Sequence, residues 1–310
     1  MDASNFNPEE NRLHAGVKEQ ALVDAITNSG FPLQGHVADL LNPKYGVTEE
    51  WSFIDRDTEE LRSLDVFAWR NFEPLGQATC RAALLVECKS SVHPYVFFQN
   101  AINDGFQFPT LVGVPHVTIT KRGDASHSRY QERTPNSILA LHDSPFGKQP
   151  PIASAFTKAI AKGDKFNVSG NDPFNSIVMP LVKSLDHASG IYDAAVENGM
   201  IYPTLLLAVC VLDAPMVLVS NPSDGQKPSL TPWVRILRRE AKSGRYGGIE
   251  QFEYIVDIVH RGFMADYFDS HVEQFLDLYR TRMQTSAEII DRGGTVENLD
   301  NWEWSDVVAR

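Results

Sequence analysis

Two stretches decide how this chain reads: Leu61-Arg62-Ser63-Leu64-Asp65-Val66-Phe67-Ala68-Trp69 and, a short loop later, Ala82-Ala83-Leu84-Leu85-Val86-Glu87-Cys88-Lys89. Ala82 to Val86 is apolar at every position, the pattern of a central strand buried on both faces. Side chains alternate along a strand, so Glu87 and Lys89 point to one face where this strand ends, and Cys88 points to the other. The upstream stretch reads as a second strand that carries one acid, Asp65, between Leu64 and Val66. Asp65 precedes Glu87 by 22 positions, enough for two adjacent antiparallel strands joined through Pro74 and Gly76. Two carboxylates converging from neighbouring strands supply hard oxygen ligands of the kind Mg²⁺ or Mn²⁺ takes.

Upstream, Asn7-Pro8-Glu9-Glu10 carries helix-start signals, and Asn28-Ser29-Gly30 with Pro32 carries stop signals. The spacing predicts one helix between them. Leu22, Val23 and Ile26 follow Glu19 at helical intervals and place it on or beside the buried stripe. Tyr45 to Asp55 reads as a first strand, with a turn at Asp55-Arg56-Asp57-Thr58, and Tyr95 to Ile102 as a short helix. Between residues 106 and 172, strand-like pieces at His116 to Thr120 and Ile138 to Leu141 precede a predicted helix over Ile152 to Lys162. Beyond them, Ile177 to Val196 and Ala265 to Met283 read as helices. Leu205 to Leu212, Met216 to Val219, Val234 to Arg238 and Phe252 to Val259 read as strands. The tail from residue 291 is acidic and carries Trp302 and Trp304. No repeat or clear linker appears, so the expectation is a single α/β domain over 1–310. It comprises core motifs at 12–105, an insertion at 106–172, further helices and strands at 173–290, and the tail.

An acid-x-Lys triplet is weak alone, since about one is expected by chance in this composition. The chain has two, Glu87-Cys88-Lys89 and Glu240-Ala241-Lys242. The second sits in a hydrophilic run that reads as a solvated loop. The first ends a buried strand just downstream of an acid-bearing one.

In that order, a helix carrying Glu19, a strand, Leu64-Asp65-Val66 and then Leu85-Val86-Glu87-Cys88-Lys89, the chain resembles the PD-(D/E)XK, or restriction-endonuclease-like, superfamily. Leu64 stands where the family name has Pro, and the resemblance covers about residues 12 to 105. It implies a central mixed β-sheet flanked by helices, a restriction-endonuclease-like core with large elaborations, and Mg²⁺- or Mn²⁺-dependent hydrolysis of DNA or RNA. It also implies roles: Asp65, Glu87 and Lys89 catalytic, and metal held by Asp65, Glu87, the backbone carbonyl of Cys88 and Glu19. The implied settings are restriction, repair or anti-phage defence. The alternative is a catalytically silent relative that binds nucleic acid or protein.

Composition is ordinary for a globular chain, 310 residues with 43% hydrophobic and 22% charged. A net charge of −12 gives no overall attraction for nucleic acid, so such binding needs a local basic patch or a bound cation. The best patch in sequence is Arg235, Arg238, Arg239, Lys242 and Arg245. Cys80, Cys88 and Cys210 are odd in number and lie in apolar surroundings, which predicts free thiols in a cytoplasmic protein. The polar, acidic N-terminus is no secretory signal, and Asp213-Ala214-Pro215 interrupts the most apolar run, which excludes a membrane span. A protein partner or a homo-oligomer stays open. No phosphate-binding Gly loop, Gly-x-Ser-x-Gly elbow, His-Glu-x-x-His or dinucleotide fingerprint occurs, which removes the usual support for NTPase, serine-esterase and zinc-protease chemistry.

Overall fold

The run Thr204–Asp213 is almost wholly apolar, and such a strand is stable only where both faces and both edges are covered. In the computed structural model it lies inside a large mixed sheet. The structure describes residues 10–309 apart from 28, 75–77, 101–107, 115–116, 122–128, 134, 170–171, 193–195, 198–199, 221–227, 244–248, 293 and 297–306.

The strands of this sheet are β1 (Gly46–Ile54), β2 (Leu61–Asn71), β3 (Arg81–Ser90), β4 (Tyr95–Gln99), β5 (Thr110–Val112), β6 (Ile152–Lys162) and β7 (Lys165–Ser169). They continue with β8 (Thr204–Asp213), β9 (Met216–Val219), β10 (Ser229–Leu230), β11 (Trp233–Ser243) and β12 (Ile249–His260). Their order across the sheet is β1-β2-β3-β8-β12-β11-β6-β4-β9-β10, with β5 on the start of β8 and β7 on β6. β1, β2 and β3 form an antiparallel meander, whereas β8 is parallel to both β3 and β12.

The longer helices among the described residues are α1 (Glu19–Thr27), α2 (Phe31–Leu41), α3 (Met179–Tyr192) and α4 (Glu273–Arg292). Leu33, Val37 and Leu41 of α2 and Phe275, Leu276 and Tyr279 of α4 bury against Val66, Val86, Cys88 and Val209 on one face of the sheet. Leu181, Val182 and Leu185 of α3 bury against Leu85, Phe97, Leu206 and Val256 on the other. A fully buried Leu, Val or Phe side chain contributes about 1.5–3 kcal/mol, so both layers hold the sheet.

The sheet curls. β3 and β8 are parallel neighbours that end at the same level, bend through Ser91–Pro94 and through Ala214 and Pro215, and run on together as the parallel pair β4 and β9. The backbone N–H of Ser91 donates to Asp213 O across that bend. Chain neighbours β3 and β4 are thus far apart along the ladder, and the face bearing α3 is concave. Tyr95 and Phe97 complete its lining.

Several expectations fail here for physical reasons. Residues 7–9 lie outside the described residues, and the first described helix begins only at Glu19. Gly30 and Pro32 do not merely stop a helix: Gly30, at φ 82°, caps a second one with Pro in its first turn. Tyr95 to Gln99 is a strand, because the apolar run continues β3 beyond the bend. Ile152 to Lys162 is also a strand, although rich in Ala and Lys, because β4 pairs with one edge and β7 folds back on the other. Pro135–Leu139 is a helical turn, and the strand expected near His116 covers Val117–Lys121. The hydrophilic run around Glu240 is no loop: it lies on β11, and Glu240 is half-buried. Arg245, Trp302 and Trp304 lie outside the described residues. The helix expected over Ile177 to Val196 ends at Tyr192, and Val196 lies on a short strand paired with Met200–Ile201. The helix expected to end at Met283 runs on to Arg292. The other helices and strands stand within a few residues of where the periodicity put them, and no helix among the described residues is long and apolar enough to cross a membrane.

Candidate functional site

The register of β2 on β3 runs from Asn71↔Arg81 to Val66↔Val86 and stops there. One residue further, Asp65 would face Glu87. Instead of the regular ladder, the N–H of Cys88 donates to Asp65 Oδ2 at 2.6 Å. A strand residue turns its N–H and C=O toward the same neighbour, so the Cys88 carbonyl also looks toward the β2 side. Gly30, at the head of α2, backs it: a Cβ there would stand 3.8 Å from Cys88 O.

The break has a cause in both strands. Val66 and Ala68 bury on the α2 side, as alternation requires, yet Leu64 buries with Phe67 on the α3 side. β1 changes face at the same level: Val47 packs on the α2 side, whereas Trp51 and Phe53 pack on the α3 side. Between them Glu50 takes φ 50°, a left-handed conformation that costs a non-Gly residue energy. Pairing on either side of Glu50 is in register, so each strand is out of phase by one residue there. The paired defect frees Asp65 from the ladder and brings its carboxylate to the end of β3.

Glu87 is only 4% exposed. Its Oε1 accepts from Lys89 Nζ at 2.5 Å, and its Oε2 is buried with no hydrogen-bond partner among the described residues. An unsatisfied buried carboxylate oxygen is expensive. Burial, with the Asp65 charge adding and Lys89 opposing, pushes the Glu87 carboxyl up to about 7. Burial also raises Asp65, against the Cys88 N–H and the attraction of Lys89. For Lys89 burial works downward, but the contact and charge of Glu87, aided by Asp65, hold the ammonium above its ordinary value. The three groups therefore form one coupled set on the concave side of the sheet.

Glu50 was not singled out in the sequence, yet its charge raises both Asp65 and Glu87. The signal was the Glu49-Glu50 doublet in mid-strand, which faces Asp65 once the hairpin is closed. Glu19 is different. It is exposed, α1 buries none of its residues, and Leu22, Val23 and Ile26 are 39–49% exposed. Among the described residues no group of three or more His, Cys, Asp or Glu gathers at metal-ligand spacing. Glu19 therefore does not join Asp65 and Glu87, and the buried stripe expected of its helix is not there.

Among the described residues the Arg/Lys run is not a patch either. Arg235 is fully buried, and its guanidinium grips Asp257 through two contacts of 2.7 and 2.9 Å. Strand alternation then puts Arg238 and Lys242 on one face of β11 and Arg239 on the other. Arg239 pairs with Glu253, Lys242 with Asp186, and Arg238 with Glu240. The run reads as basic in sequence because its counter-charges lie on other elements or behind it. Cys80, Cys88 and Cys210 are free and buried, as expected, and burial raises all three thiols.

Comparison with protein-family models, with curated proteins and with solved structures finds no match to this chain.

Proposed function

We propose that the chain is a metal-dependent phosphodiesterase of the PD-(D/E)XK type acting on nucleic acid, with Asp65, Glu87 and Lys89 as its chemical groups. The observation that carries this reading is the buried Oε2 of Glu87, without a hydrogen-bond partner among the described residues, beside a second carboxylate that has left its ladder pairing. Supporting it, a helix, the meander β1-β2-β3, Asp65 within β2, and Glu87 and Lys89 toward the end of β3 follow one another in the order of the superfamily's motifs.

Mg²⁺ or Mn²⁺ fits the donors present: two carboxylates and a backbone carbonyl are hard oxygen ligands. Asp65, Glu87 and the Cys88 carbonyl would hold the ion, which when bound would polarise a phosphate oxygen and acidify a water. Asp65 is oriented for this by the Cys88 N–H. Glu87 must be ionised, so its raised pKa makes proton and metal compete. Lys89 is kept protonated by both carboxylates, which suits an ammonium that orients water and steadies developing negative charge on the phosphate better than one that removes a proton.

The test is cleavage of single- and double-stranded DNA and RNA with and without Mg²⁺ or Mn²⁺. Wild type should cut in a metal-dependent way, and Lys89→Ala should lose at least 100-fold in rate, the low end for a positioned acid–base or charge-stabilising group. A second reading, a silent relative that binds nucleic acid or protein, draws on the neutralised Arg/Lys run and the net charge of −12. No cleavage of any of these substrates with either metal would favour it.

A further inference from the structure

The positive charge missing from β11 reappears elsewhere. β6 and β7 form a hairpin with a two-residue loop, Gly163-Asp164, in which Gly163 takes φ 62°, as tight hairpin turns require. Residues 160–168 at its end are all exposed. At its base Lys158 is the cross-strand partner of Tyr95, and Phe156 that of Phe97. Tyr95 and Phe97 line the concave, α3-side face, together with Ala83 and Leu85. By alternation that is the face to which Glu87 and Lys89 belong.

The same alternation carries Lys162 onto this face, about 13 Å beyond Lys158 at about 3.3 Å per residue. Lys165 lies directly opposite Lys162 and shares its side of the hairpin. A stripe of three lysines thus begins beside Tyr95, over whose ring Lys158 Nζ sits at 5.7 Å. The base of the stripe follows the site along the chain: β3 ends at Ser90, one residue past Lys89, and β4 opens with Tyr95, the partner of Lys158.

Four other basic groups on the sheet meet carboxylates: Arg62 meets Asp55, Arg235 Asp257, Arg239 Glu253 and Lys242 Asp186. Among the described residues Lys158, Lys162 and Lys165 have no such partner. Two lysines facing each other across a hairpin repel, a cost that an incoming phosphate removes.

We propose that the β6–β7 hairpin is the arm that grips the sugar-phosphate backbone of a nucleic acid, with Lys158, Lys162 and Lys165 leading the strand toward Asp65, Glu87 and Lys89. The hairpin's grip deepens the nuclease reading, but it is measured by binding alone. Fluorescence anisotropy with labelled single- and double-stranded DNA and RNA oligonucleotides, in EDTA and across a salt series, is the assay. The chains compared are wild type, Lys162→Gln/Lys165→Gln, Lys162→Arg/Lys165→Arg and, as a surface control, Lys148→Gln.

The double Gln variant should bind at least tenfold more weakly at low salt. Its log–log salt slope should fall by about 1.8 for duplex or about 1.4 for single strands, the value for two lost phosphate contacts. The Arg pair should restore both, and Lys148→Gln should match wild type. Wild-type affinity and slope in the double Gln variant would overturn the arm while leaving metal-dependent cleavage intact as a finding. Binding that depends on the hairpin in a protein that cuts nothing would instead uphold the arm and remove the nuclease reading. A wild type that binds no oligonucleotide overturns the arm.

Discussion

Two acids in this protein have the same address in sequence and opposite fates. Asp257 stands between Val256 and Ile258 as Asp65 stands between Leu64 and Val66. Asp257 is 3% exposed and fully answered: Arg235 meets both of its oxygens, and the Tyr267 hydroxyl donates to Oδ2 at 2.9 Å. The spare donor of Arg235, Nη1, reaches the carbonyls of Phe146 and Gly147, and Phe108 stacks on the guanidinium. That network ties a short helical turn to the sheet and leaves nothing over. Around Asp65 and Glu87 the pairing is incomplete among the described residues: one Glu87 oxygen has no hydrogen-bond partner, two carboxylates repel, and a single lysine serves both. A buried charge that is fully paired is structure, whereas one left short is a candidate for chemistry.

The largest expected effect separates the two regions by stability. Arg235→Ala would strand Asp257 in the core and should cost about 3–5 kcal/mol, seen as a lower denaturant midpoint. Glu87→Gln, which removes repulsion, should leave the metal-free protein as stable as before or slightly more so above neutral pH.

Titration should separate them next. Glu87 is raised from 4.5 to about 7. Below pH 4.5 the carboxyl is protonated in both folded and unfolded chains, and its contribution to stability is fully present. Between 4.5 and about 7 the folded chain holds a proton that the unfolded chain has lost, so stability falls as pH rises through this window and levels off above it. The fall should amount to no more than about 3 kcal/mol. Unfolding followed by pH should show it in wild type and not in Glu87→Gln. A profile that is the same for both would mean that Glu87 ionises normally.

The smallest effect belongs to the surface. Arg239→Gln breaks a half-exposed pair with Glu253 and should change stability by less than about 1 kcal/mol. It should also leave oligonucleotide affinity where it was. A large loss of affinity would restore the β11 run as a contact surface.

The meander and its acids were legible because each strand's pattern is local: apolar runs, one acid apiece, and a turn between them. The pairing of Asp65 with the Cys88 N–H was not, since it depends on a face change in two strands at once, and the sequence records only Glu49-Glu50 and Leu64-Asp65. Arg235 was misread because a buried arginine and a solvated one are the same letter; the difference is Asp257 on the next strand. Ile152 to Lys162 was misread because Ala and Lys favour helix locally, and the neighbours that overrule them, β4 and β7, lie elsewhere in the chain. Glu19 failed because helical spacing shows an apolar stripe without showing that anything covers it.

The central claim is that Asp65 and Glu87 are a cation site and not a damaged ion pair. Thermal unfolding at pH 8, where Glu87 is ionised, with and without millimolar Mg²⁺ or Mn²⁺, tests it most directly. Metal should raise the melting temperature of wild type by mass action on the folded state. Asp65→Asn, which keeps an oxygen for the Cys88 N–H, and Glu87→Gln should each lose most of that rise, while Lys89→Ala should retain it. No metal-dependent rise in wild type, together with destabilisation by all three substitutions, would mean that the trio is a structural network.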